Sequence, residues 1–217
     1  MGKPSRKNRL TPQEAREALY IDFEGLKDAA PVLLGCAHRA GKGVKPWVWQ
    51  AVTDPLFEPV TRIDDDIELL PLPDAVERIL QRAEAKDRLI VAWSEHELDV
   101  VKEYCPKNVV RIEARYVNAR TFAVYWRNAC HRGDKPATKD LPTYLALIGY
   151  TLPEGAGPGR AGETIRRVGK ALQKDQGLAG LTDDQRHRWQ QLRDHNLHDC
   201  HGMKKVCILA ADEVAER

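Results

Sequence analysis

The chain has 217 residues, 42% hydrophobic and 30% charged, with 34 Lys and Arg against 32 Asp and Glu for a formal net charge of +2. This is the composition of a soluble globular protein with a sizeable core, and its near-neutral balance does not announce a nucleic-acid binder by bulk charge. A membrane helix is excluded because no apolar run approaches the roughly 18 residues one needs. A secretory signal is excluded because the basic head "MGKPSRKNRL" has no apolar stretch after it.

The five cysteines form no CxxC pair, which suits free thiols in a reducing, cytoplasmic setting. Residues 1–16 read as a basic, disordered head, and 17–217 as one domain. The stretch "ALYIDFEG" (18–25) reads as a strand, because Tyr20, Ile21 and Phe23 favour a pleated surface and Gly25 ends the run. "PVLLGCAHR" (31–39) and "KPWVWQAVT" (45–53) read as two further strands, joined by a hairpin turn at "AGKG". "PLPDAVERILQRAEAKD" has a helical stripe at Val76, Ile79, Leu80 and Ala83. "RLIVAWS" (88–94) is a short continuous apolar run, as in a buried central strand, and "EHELDVVKEYC" is a helix. "ARYVNA" is a fifth strand, followed by helices at "RTFAVYWRNA" and "LPTYLALIGY". "PEGAGPGRAG" (153–162) is a loop, "ETIRRVGKALQK" a helix, and the last segment one long helix or a pair. A three-strand meander followed by alternating strands and helices predicts an α/β fold with a mixed sheet.

Three placements of acids stand out. Side chains alternate along a strand, so Asp22 and Glu24 share one face while Ile21 and Phe23 share the other. Two carboxylates side by side in so apolar a strand mark either a wet edge or a cation between them. In the last helix, Trp189, Leu192, Val206 and Leu209 lie near one stripe, and its middle runs through His195, Asn196, Asp199, Gly202 and Met203. His195 and Asp199 are four apart and so stack on one face, as a simple hydrogen-bonded pair or as part of a site. In "WSEHELDVV", Glu97 lies on the inward side with Val101, while Glu95 and Asp99 point away. Ser94 and Glu97 also have the spacing of a capping box, which gives Glu97 a purely structural alternative.

Taken together, these motifs resemble the DEDD exonuclease superfamily. "YIDFEG" is similar to its Asp-x-Glu first motif, and "VAWSEHELDVV" to its second as found in a bacterial and archaeal branch of predicted 3′–5′ exonucleases related to the proofreading domain of family B polymerases. "HNLHDCHGMKKV" resembles that branch's third motif, Tyr-Asn-x-x-Asp-Cys, with Asp199 as the acid and His195 at the tyrosine's spacing. "KDLPTYLALIGY" resembles the short helix between the second and third motifs, so the likeness spans roughly residues 17 to 210.

The resemblance implies an RNase H-like fold, a mixed five-stranded sheet with helices on both faces. It also implies hydrolysis of single-stranded DNA or RNA with two divalent cations, Mg²⁺ or Mn²⁺. Asp22 would bridge the ions, Glu24 and Asp199 would hold the first, Glu97 would hold the second, and His195 would orient or deprotonate the attacking water. Arg160, in the loop, and Arg166, Arg167, Lys170 and Lys174, on the helix whose inward face is Ile165, Val168 and Leu172, are candidates for nucleic-acid phosphates. The alternative for the helix is a solvated basic face. Trp93 and Tyr20 stack on a base or fill the core. One rival function is a catalytically degenerate nuclease fold serving as a nucleic-acid-binding or interaction module. Another is a zinc site in "HNLHDCH", where His195, His198, Cys200 and His201 would be the donors. No membrane partner is expected, and oligomeric state is not legible.

Overall fold

The computed structural model describes residues 9–38, 47–63, 66–133, 138–150, 160–175 and 177–217. Its strands are β1 Leu19–Glu24, β2 Leu33–His38, β3 Trp47–Val52, β4 Ile67–Leu69, β5 Ile90–Ala92 and β6 Tyr116–Asn118. Its helices are α1 Pro12–Glu17, α2 Leu72–Glu84, α3 His96–Tyr104, α4 Val109–Glu113, α5 Ala119–Cys130, α6 Leu141–Leu147, α7 Ala161–Asp175 and α8 Asp183–Ala215. A 3-10 segment, Pro55–Arg62, precedes β4.

The strands form one mixed sheet in the order β4-β3-β2-β1-β5-β6. β1, β2 and β3 are successive antiparallel neighbours, whereas β5 runs parallel to β1, β6 parallel to β5, and β4 parallel to β3. The sheet thus has six strands, not the expected five. The extra one, β4, is three residues long and pairs only with β3, so it carries too little alternation to stand out.

Helices cover both faces, and strand alternation explains how. Leu19, Ile21 and Phe23 enter a core with α2 and α3, including Val76, Ile79, Leu80 and Val101. Tyr20 points the other way, into a core with α5, α6 and α8 that holds Phe122, Trp126, Tyr144, Met203 and Val206. Asp22 and Glu24 share the α8 side by parity. A third core packs Phe57 and Val60 against Ile165, Val168 and Leu172 of α7 and Trp189 of α8.

The final segment is a single 33-residue helix, started by a capping box between Thr182 and Gln185. Trp189, Leu192, Asn196, Met203 and Val206 follow its buried stripe, but Leu209 is 37% exposed and does not belong to it. Tyr20 is wholly buried and its hydroxyl donates to Ala15 O at 2.6 Å. Trp93 is half-buried, edge-on to Tyr144. Tyr20 therefore fills the core, and Trp93 packs at its margin.

The expected disorder of residues 1–16 fails from residue 9 onward, and residues 1–8 lie outside the described residues. Thr11 and Glu14 form a reciprocal capping box with Pro12 at the first helical position, so α1 starts on strong local signals despite its basic surroundings. Leu10 and Ala15 are buried, and Arg16 grips Asp212 of α8 through Nη2, at 2.7 and 2.6 Å. The expected "AGKG" turn lies outside the described residues, as does the expected loop up to residue 159.

Candidate functional site

β1 and β5 run parallel, and the chain leaves them toward opposite sides of the sheet: β1 turns to β2, and β5 leads on to β6. Asp22 and Glu24 stand at the carboxyl end of β1, and α3 starts four residues beyond β5, placing Glu97 in its first turn.

α8 crosses this end of the sheet and is fixed there by a polar cluster in the core. In register, Asp22 lies opposite Gly35, and Gly35 opposite Gln50. Asn196, fully buried on α8, sits on that row. Its Nδ2 donates to Asp22 Oδ2 at 2.9 Å and to Asp22 O at 3.1 Å, and its Oδ1 accepts from Gln50 Nε2 at 3.1 Å. Gln50 also donates to Arg193 O at 2.9 Å and accepts from Arg193 Nε at 3.2 Å. Gly35 makes room for this contact, because a Cβ there would stand 1.9 Å from Asn196 Oδ1. Asn196 thereby sets the helix register that aims His195 and Asp199 at β1.

His195 Nε2 lies 3.8 Å from Glu24 Oε1 and 3.6 Å from Asp199 Oδ2. Its Nδ1 and Asp199 Oδ1 are buried without a hydrogen-bond partner among the described residues. Glu97 is 5% exposed, whereas Glu95 and Asp99 are exposed, as the helical periodicity predicts. The expected capping box is rearranged. The Ser94 hydroxyl accepts from His96 N–H at 3.1 Å and donates to Glu97 Oε2 at 3.2 Å, so Ser94 helps hold the carboxylate.

Asp22 and Glu24 both lie within electrostatic reach of Asp199 and Glu97. Burial first, then repulsion from Glu24, Asp199 and Glu97, holds the Asp22 carboxyl well above the usual range, against a lowering hydrogen bond from Asn196. Burial, then Asp199 and Glu97, pushes Glu24 up to about 8. Burial raises Asp199 against the pull of His195. It raises Glu97 too, against N–H groups, His96 and Ser94. No lysine or arginine is among the groups that most influence these carboxyls.

Among the described residues, no three His, Cys, Asp or Glu side chains enclose an ion by themselves. Like-charged oxygens repel when nothing positive lies between them. The donor set nonetheless fits a hard dication: carboxylate oxygens from three elements, one of them, in Asp199, without a hydrogen-bond partner among the described residues. The zinc grouping does not assemble. Cys200 is buried in the apolar core, and His198 Nδ1 is hydrogen-bonded to the Tyr150 hydroxyl at 2.9 Å.

Of the five basic candidates, Arg160 alone lines the groove that ends on His195, together with Thr164, Arg188 and Gln191. Arg166, Arg167, Lys170 and Lys174 are exposed on α7 away from that lining, and Arg167 pairs with Glu163 at 2.8 Å. Periodicity identifies the inward face Ile165, Val168 and Leu172 but cannot tell which neighbour the flanking side chains meet. Gln50 and Gly35 escape the sequence reading altogether, although a glutamine inside the apolar run "WVWQAV" is a signal of buried polar contact.

The raised carboxyls carry a pH dependence. In the folded, metal-free protein Glu24 keeps its proton up to about 8, whereas an unfolded glutamate loses it near 4.5. The folded state therefore binds more protons, and raising the pH between those values removes stability. His38 works the other way at lower pH: burial brings it down from 6.5 to about 4, so stability is lost as pH falls below 6.5. The clean window is thus pH 6.5 to 8.5. In EDTA the melting temperature should fall across it, and Glu24→Gln should flatten the fall. A rise with pH in the wild type would contradict the electrostatic account.

Compared with protein-family models and with curated proteins, the sequence matches none.

Proposed function

We propose that the chain is a metal-dependent 3′–5′ exonuclease of the DEDD kind, with an RNase H-like fold, hydrolysing single-stranded DNA or RNA. The observation that carries this reading is the convergence of Asp22, Glu24, Glu97 and Asp199, from β1, α3 and α8, at the carboxyl end of a parallel strand pair, with His195 between Glu24 and Asp199. A three-strand meander continued by parallel strands, with helices on both faces, fits the expected architecture. Five free cysteines suit a cytoplasmic setting.

Asp22, Glu24 and Asp199 would hold one Mg²⁺ or Mn²⁺, and Asp22 with Glu97 a second. When bound, such a pair supplies charge neutralisation, activation of water and stabilisation of a leaving 3′-oxygen. The chain's own contribution is orientation and proton handling. Asn196 fixes the Asp22 carboxylate through its Oδ2, and Ser94 fixes Glu97. His195 Nε2, set between Glu24 and Asp199, would take a proton from the attacking water, and either carboxylate would stabilise the imidazolium formed.

The test is degradation of 5′-labelled single-stranded DNA and RNA with Mn²⁺, Mg²⁺ or EDTA. A metal-dependent ladder shortening from the 3′ end is expected, reduced by His195→Ala about a hundredfold or more. No cleavage of either polymer in either metal, with oligonucleotide binding retained, would instead indicate a nuclease fold kept for recognition.

A further inference from the structure

The carboxylate cluster creates a difficulty for the proposed substrate. A polyanion approaching four acids is repelled unless cations lie on its path. The α7–α8 groove, an open space of about 320 Å³ including its mouth, supplies them. It is lined by Arg160, Ala161 and Thr164 on the α7 side and by Arg188, Gln191, Leu192 and His195 on α8. The α8 residues are spaced 188, 191, 192, 195, so they form one helical face, which continues to Asp199. The helix rise puts Arg188 about 10 Å from His195. That is the range of a phosphate neighbouring the reacting one, not of the reacting phosphate itself.

The side chains are available for such a contact. Arg160 is exposed. Asp184 takes the Nε of Arg188 at 2.7 Å, and no other hydrogen bond engages that guanidinium among the described contacts. Glu163, an acid beside the groove, is occupied by Arg167. Thr164 and Gln191 add polar groups, and Ala161 with Leu192 gives an apolar floor against which a sugar can rest.

We propose that this groove grips a backbone phosphate of the substrate strand through Arg160 and Arg188, which makes them positioning residues that lead the strand to His195. The proposal rests on the nuclease reading and names the route its substrate takes.

The test is binding of fluorescein-labelled oligo(dT) and oligo(rU) to the full chain in EDTA, followed by anisotropy across a KCl series. Each phosphate contact on a single strand contributes about 0.7 to the slope of log affinity against log salt. Arg160→Gln with Arg188→Gln should weaken binding and flatten the slope by about 0.7, the share of the one phosphate they grip, whereas Lys170→Gln with Lys174→Gln should leave it nearly unchanged. In turnover with Mn²⁺ the first pair should raise KM far more than it lowers kcat. Normal binding and slope in the Arg160/Arg188 variant would overturn the groove while leaving the nuclease reading intact. Absence of salt-sensitive binding in the wild type would overturn both. A melting curve like the wild type's assigns the loss to contact, because the Arg188–Asp184 pair is a half-exposed surface bridge of small worth.

Discussion

Gly35→Ala should cost the protein about 3 kcal/mol or more and most of its activity, although Gly35 carries no chemistry. The new methyl would stand 1.9 Å from Asn196 Oδ1 and 2.7 Å from Asn196 Cγ. Asn196 cannot swing aside freely, because it is fully buried and bonded to Asp22 and Gln50. Either those bonds break, leaving polar groups buried and unpaired, or α8 lifts from the sheet. Overpacking alone costs about 1–3 kcal/mol, and an unsatisfied buried polar group a similar amount. For a chain of this size the expected drop in melting temperature is about 6–12 °C. A lift of even 1 Å would carry His195 and Asp199 off their partners on β1, and such a misplacement can cost about a hundredfold in rate. Gly202→Ala is the comparison. There the obstruction, at 2.7 Å, is the Leu145 Cδ2 methyl, the far end of a flexible side chain, so the loss should be smaller and activity largely kept. If the Gly35 variant melts like the wild type, Asn196 does not set the register of α8.

That contact marks where the sequence stops being readable. Strand parity was enough to place Asp22 with Glu24, and helical spacing enough to place Glu97 inward and His195 over Asp199, because each relation is local and periodic. The Asn196–Gln50 bond joins residues 146 apart, and nothing local in either one names the other. The row Asp22, Gly35, Gln50 exists only once three strands are in register. α1 had local signals, a capping box and an N1 proline, that its basic surroundings obscured. β4 had almost none: Ile67 alone is buried in three residues, and its place comes from pairing with β3. The basic face of α7 shows the same limit. Its charges are plain in "RRVGKALQK", yet Arg188, the second cation at the groove, comes from a different helix.

Asp22→Asn should abolish activity and, in the absence of metal, stabilise the fold. The substitution keeps shape, and the amide can turn its oxygen toward Asn196 Nδ2, which now donates to Asp22 Oδ2 at 2.9 Å. What it removes is the charge. Asp22 is the acid whose carboxyl burial and all three of the others push up, so an amide there removes both the cost of burying its charge and their repulsion of it. In EDTA at pH 8.5, where the wild-type cluster carries most charge, the variant should melt higher than the wild type, and the gap should narrow toward pH 6.5. Added Mn²⁺ should reverse the order. Ligand binding to the folded state alone raises the wild-type melting temperature, more at pH 8.5 than at 6.5 because the ligands must be deprotonated, and the variant should respond little. Cleavage should fall by about a thousandfold or more, equivalent to losing about 4 kcal/mol of stabilisation in the transition state. These readouts separate the explanations for the paired carboxylates. A wet strand end predicts no metal-dependent shift in either protein and no gain in the variant. A binding module predicts oligonucleotide binding indifferent to both metal and Asp22. A variant that melts higher in EDTA, no longer responds to Mn²⁺ and does not cut is the result expected if two carboxylates stand together on β1 to share a cation.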